Sequence, residues 1–127
     1  MIKDVSFRES ELKITSGDES RKIINVGITI YKIVFTSERI VLLLSWEELN
    51  NSDLHNRNIV CLDENGQMLW RIVNQDTLSI SKEKTYYSWS SLALKNDQCL
   101  RVGTISGMDV DVDINTGKLL GNAEYTK

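Results

Sequence analysis

Proline is absent from all 127 residues, although it averages about 5% of residues in globular proteins. The reversals are marked instead by Asn, Asp, Ser and Gly. Histidine occurs once, at His55 in a polar, Asn-rich stretch. There it reads as an exposed side chain, and its singleness excludes a two-histidine acid–base pair or a multi-histidine metal site. The two cysteines, Cys61 and Cys99, lie in separate apolar runs without C-x-x-C spacing. They read as packed free thiols in a reducing compartment. The glycines form neither a P-loop nor G-x-G-x-x-G, and none of Ser79, Ser81, Ser88, Ser90 and Ser91 sits in a G-x-S-x-G elbow. Phosphate-loop and nucleophile-elbow chemistry thus have no support. The adjacent carboxylates Glu47 and Glu48 fit the start of a helix better than a glycosidase pair. The expectation is a protein that is not an enzyme and carries no cofactor or metal.

Long hydrophobic runs are missing too. The longest, Ile40 to Leu44, falls far short of the roughly 20 residues a membrane-spanning helix needs. The opening Met1-Ile2-Lys3-Asp4-Val5 has no apolar segment of the secretory type. A cytoplasmic location and no membrane partner are expected. Net charge is −3 and the pI about 5.2, which disfavours nucleic acid as a partner and favours a basic protein.

What is present is a soluble composition, 41% apolar and 26% charged, on a chain long enough for one domain over 1–127 with a sizeable core. A short phrase occurs twice: Leu62-Asp63-Glu64-Asn65-Gly66-Gln67-Met68-Leu69-Trp70 and Val112-Asp113-Ile114-Asn115-Thr116-Gly117-Lys118-Leu119-Leu120. Each reads as strand, tight turn, strand, because Asn and Gly tolerate the positive φ that a hairpin demands. Val5 and Phe7, then Leu12 and Ile14, alternate as an edge hairpin around Arg8-Glu9-Ser10-Glu11. Ile23 to Phe35 is rich in β-branched and aromatic residues, with Gly27 a bulge or a close approach, and Ile40 to Leu44 reads as a central strand covered on both faces. Ser45 followed by Glu48 has the spacing of a short capped helix. In the first hairpin, Met68, Trp70 and Ile72 fall on one face, with Trp70 in the core. Asn74 to Thr85 reads as a surface loop.

Ile30 to Trp46 matches Trp89 to Ile105 in its strand–turn–strand pattern, with Ser37-Glu38 opposite Asn96-Asp97. Without Glu47 to Asn58, the repeating unit approaches the roughly 40 to 50 residues of a propeller blade. Two blades cannot close a ring, since propellers use roughly four or more. The predicted fold is all-β: an antiparallel β-sandwich or open barrel of about ten strands. It is built from two blade-like meanders, with the N-terminal hairpin closing one side and at most one short helix.

The strand Met108 to Ile114 places Asp109, Asp111 and Asp113 on the face opposite Val110, Val112 and Ile114, with like charges roughly 6 to 7 Å apart. Such a row repels itself unless solvent, a Lys or Arg on the adjacent strand, or a ligand relieves it. All three readings stand at this point. An EF-hand loop beginning at Asp109 would need Gly and Glu where Ile114 and Leu120 stand. Of Tyr86, Tyr87 and Trp89, alternation turns at least one ring outward, and exposed aromatics beside acids are common interface anchors.

The hairpins Cys61 to Ile72 and Val112 to Lys118 resemble those of pyrroloquinoline-quinone-type propeller repeats. From Ile30 onward the chain is more similar to a group of short, single-domain bacterial proteins with this pair of hairpins and a tail like Glu124-Tyr125-Thr126-Lys127. The second copy departs from the first, with Gly121 where the first has Trp70. Members are often encoded beside polymorphic or contact-dependent inhibition toxins. The resemblance therefore implies an immunity protein, monomeric when free, that binds a cognate and basic nuclease toxin domain. Its expected partner-binding residues are Asp109, Asp111 and Asp113 with Glu47, Glu48, Asp53, Tyr86 and Tyr87. The rival readings are a small-ligand or carbohydrate-binding β module using Trp46 and Trp89, and a structural protein whose copies assemble into a ring.

Overall fold

A computed structural model describes residues 1–45, 47–48, 57–72, 88–104 and 107–125. The expected Asn74 to Thr85 loop lies outside them. Among the described residues eleven strands form three antiparallel sheets, each connected in sequence order. The first holds β1 (Ile2–Arg8), β2 (Glu11–Ser16) and β3 (Arg21–Asn25). The second holds β4 (Ile30–Phe35), β5 (Ile40–Leu44), β6 (Ile59–Leu62) and β7 (Met68–Arg71). The third holds β8 (Trp89–Asn96), β9 (Cys99–Thr104), β10 (Met108–Asp113) and β11 (Leu119–Tyr125). The fold is all-β and sandwich-like, with no closed barrel and no helix among the described residues.

The second sheet lies between the other two. Along β5, Val41 and Leu43 join the core shared with the third sheet, whereas Ile40, Leu42 and Leu44 join the core shared with the first. The period of two divides β6 in the same way, sending Ile59 and Cys61 one way and Val60 and Leu62 the other. This is why those runs are apolar without alternation. Each fully buried Leu, Ile or Val contributes roughly 1.5–3 kcal/mol, so the two strands anchor both interfaces at once.

Two blade-like meanders are present as expected, and the paired segments 30–46 and 89–105 supply the first two strands of the second and third sheets. The N-terminal hairpin is larger than expected. Ile23 to Phe35 is not one bulged strand: Asn25 Oδ1 accepts the Gly27 N–H at 2.8 Å, and this Asx turn ends β3 before β4 begins in the next sheet. Ser45 Oγ does accept the Glu48 N–H at 3.4 Å, but the Glu48 carboxylate reaches the Thr29 N–H (3.1 Å to Oε2), and the capping box is not closed.

The doubled hairpin occupies the same place in the second and third sheets, at one end of the molecule. Asp63 Oδ1 accepts the N–H groups of Asn65 (2.8 Å) and Gln67 (2.9 Å), and Asp113 Oδ1 accepts that of Asn115 (2.9 Å). The glycines of the two turns have φ of 83° and 75°. They also permit close approach, Gly66 lying against the Ile24 side chain of the first sheet and Gly117 against the Trp70 ring of the second. Each turn thus abuts the preceding sheet. The first sheet carries a third version at Ser16–Ser20, where the N–H of Ser16 donates to the Ser20 carbonyl and Glu19, with φ of 69°, takes the glycine's place. Its resemblance is hidden in sequence because an acidic residue holds the left-handed position.

Trp70 is only partly buried; its Nε1 donates to the Ile114 carbonyl at 2.8 Å. Trp70 and Ile72 pack on the same core as expected, but a register shift, with Cys61 opposite Trp70 and Leu62 opposite Met68, takes Met68 off that face. That irregularity leaves both Met68 and Leu69 exposed while Ile72 is buried.

Candidate functional site

The three aspartates lie where alternation places them. Val110, Val112 and Ile114 are buried in the core, and Asp109, Asp111 and Asp113 share the opposite, outer face of the third sheet, each partly buried. Their surroundings differ. β10 runs between β9 and β11, so Asp111 stands opposite Arg101 and Leu120, and Asp109 opposite Gly103 and Glu124. Lys95 Nζ donates to Asp111 Oδ2 at 2.8 Å and Arg101 Nε to Oδ1 at 3.0 Å. The Lys95 hydrogen bond, aided by that from Arg101, holds the Asp111 carboxyl below its usual range and raises the Lys95 ammonium. Asp113 is committed to its turn. At Asp111, the middle of the row, the repulsion is thus relieved from within the sheet, through the first two strands of the same meander. Sequence reasoning allowed such a pairing without identifying Lys95 and Arg101; the signal was the outward parity of Arg101 in Leu100-Arg101-Val102.

Glu48 lies elsewhere, at the entrance to β4. Its hydrogen bond from Thr29 holds its carboxyl below the ordinary value. Glu47 beside it is exposed, and no hydrogen bond or ion pair among the described residues joins either glutamate to the aspartates. Asp53, Tyr86, Tyr87, Trp46 and His55 lie outside the described residues. Trp89 is fully buried, so its ring is not available to a ligand. Cys61 and Cys99 are free thiols, and burial pushes Cys61 up to about 12. A groove of about 480 Å³ runs between the β4–β5 and β8–β9 turns, lined by Phe35, Arg39, Asp97 and Asn115. No group of three or more His, Cys, Asp or Glu able to hold a metal occurs among the described residues, and no helix there is long and apolar enough to cross a membrane.

The architecture defines a class: an open stack of three antiparallel meanders with charged residues on its outer faces. Within that class the chain belongs to the family described as a domain of unknown function, DUF7957, whose model matches residues 2–124. No curated protein matches it. Among solved structures it is similar to the computationally designed Ika8 protein, at 14% identity and a TM-score of 0.55. The likeness covers 99% of this chain but only 37% of the designed one. The chain therefore spans little more than a third of that protein, and the likeness concerns the fold alone.

Proposed function

We propose that this chain is a protein-binding module acting as an immunity protein, which neutralises a basic toxin domain by stoichiometric association. The observation that carries the reading is the row of Asp109, Asp111 and Asp113 on the outer face of the third sheet. Such a face presents carboxylates at fixed spacing to a cationic partner, and the rigid sheet spares the entropy of ordering them. Because Lys95 and Arg101 already engage Asp111, the partner competes with internal cations there, and discrimination rests on geometry as much as on net charge. The resemblance of the two hairpins to immunity proteins supplies the class of partner.

Neither rival gains a specific observation. The carbohydrate reading loses the Trp89 ring to the core. A ring of copies would stack the outer faces of the first and third sheets, which carry Lys13, Arg21 and the aspartates in place of the apolar surfaces that join sheets within the chain. Polar outer faces are what terminal units of a stack carry.

Co-expression with a basic toxin domain sought among the products of the neighbouring genes tests the proposal. A 1:1 complex and restored growth are expected, with charge reversal at Asp111 and Asp113 slowing association and flattening its salt dependence. Persistent toxicity without a complex overturns the immunity reading.

A further inference from the structure

Among the described residues the first sheet has three strands where the others have four, and the turns show which strand has no described counterpart. The Ser16–Ser20 turn between β2 and β3 corresponds to Asp63–Gln67 between β6 and β7 and to Asp113–Lys118 between β10 and β11, each closed by the first residue's N–H donating to the last residue's carbonyl. Hence β1 corresponds to β5 and β9, and among the described residues the first sheet has no counterpart of β4 or β8. The vacant place lies along the free edge of β1.

Between Ile2, whose N–H donates to the Ser37 carbonyl at 2.7 Å, and Glu9, whose carbonyl accepts the Ile30 N–H at 2.8 Å, that edge has no partner among the described residues. Arg8 and Glu11 flank the two-residue turn at Glu9 and Ser10 as a hydrogen-bonded pair, so pairing with β2 falls on Ser6 and Arg8, and the N–H and C=O groups of Val5 and Phe7 point away from it. No described strand pairs with them. β5 and β9, which have a neighbour on that side, bury every core-facing residue, including Leu42, Leu100 and Val102. On β1, Val5 is only partly buried and Phe7, opposite Leu12 on the core-facing side, is 41% exposed. Unpaired backbone groups together with a half-covered aromatic are what a missing strand leaves behind.

We propose that the free edge of β1 is a β-augmentation site, at which an extended segment of a protein partner pairs antiparallel to β1 and supplies the first sheet's fourth strand. The occupant's chemistry follows from the strands that fill this place in the other sheets. β4 and β8 run 6 and 8 residues, carry apolar side chains toward the cores, and run antiparallel to the strand they flank. A segment with apolar side chains at alternate positions, facing Phe7, meets the same requirements, while its main chain engages Val5 and Phe7. This inference rests on the reading of the chain as a protein-binding module but not on the identity of its partner.

The test uses the full chain and a capped peptide copying β8, Trp89–Asn96, as the probe. Saturable 1:1 binding is expected, with hydrogen exchange at the Val5 and Phe7 amides slowed at least tenfold. A peptide N-methylated on the amides that face β1 should not bind. Val5→Pro, which removes an outward N–H, should abolish binding while keeping the native circular dichroism. Ile23→Pro on the far edge, at β3, should leave binding intact; if the proline variants do not fold, the N-methylated peptide carries the comparison. Three results would overturn the proposal: protection of Val5 and Phe7 in the free monomer, protection only in a dimer of this chain, or no peptide binding. A toxin-domain complex that survives when the peptide fails would locate the fault in the edge and not in the protein-binding reading.

Discussion

The carboxamide of Asn58 holds the backbone of Trp89 from both sides, its Nδ2 donating to the Trp89 carbonyl at 2.8 Å and its Oδ1 accepting the Trp89 N–H at 2.9 Å. The same Nδ2 donates to the Leu44 carbonyl at 3.0 Å. One fully buried side chain thereby ties the end of β5 to the start of β8 and fixes the third sheet on the second. Asn58→Leu strands several buried backbone groups, each costing about 1–3 kcal/mol. A loss of roughly 3 kcal/mol or more is expected in urea unfolding, well beyond the roughly 0.5 kcal/mol of an ordinary surface change.

The two turn glycines should differ under substitution. A Cβ on Gly117 would meet the Trp70 ring at 2.6 Å, whereas one on Gly66 would meet the far end of the Ile24 side chain. Both replacements incur left-handed strain of order 1 kcal/mol, but only the indole, held by its bond to Ile114, lacks room to turn. Gly117→Ala is expected to cost about 2–4 kcal/mol and Gly66→Ala about half that, read as midpoints of denaturant unfolding.

Asp111 sets an acid-side dependence of stability. Its folded carboxyl titrates below its ordinary value, because Lys95 and then Arg101 favour the charged form. Its contribution is therefore present above about pH 4 and disappears as the pH falls through the lowered folded value. Lys95 is half exposed, which limits the contribution to less than about 1 kcal/mol. The stability gap between wild type and Asp111→Asn should close in acid and narrow in 1 M salt.

Cys61 should resist modification. Its thiol is buried and pushed up to about 12, so iodoacetamide at pH 8 is expected to label Cys99 first and Cys61 only on unfolding, as mass spectrometry of native and urea-treated protein would show. With the folded value raised, the associated stability is complete below about pH 9 and declines as the pH rises toward 12. Cys61→Ala should flatten that alkaline decline.

Some features were legible because a few neighbouring residues decide them. Alternation alone placed the three aspartates opposite Val110 and Val112, and the unbroken run Ile40 to Leu44 announced a strand covered on both faces. Turn chemistry located both copies of the hairpin. The kinship of the Ser16–Ser20 turn to the other two is not legible, because Glu19 holds the left-handed position without an Asn-Gly signal, and only Met68 leaves the expected face of Trp70 and Ile72, because a register shift changes its parity.

Local sequence by itself therefore determined the strands, the glycine turns and the acidic row, since φ preference and a period of two act within a few residues. Tertiary structure alone decided that Lys95 and Arg101 would meet Asp111, that Trp89 would be buried against Asn58, and that β4 would open a second sheet instead of extending the first. Those outcomes depend on pairing register and on which sheet covers which, relations between residues distant along the chain that no local pattern encodes.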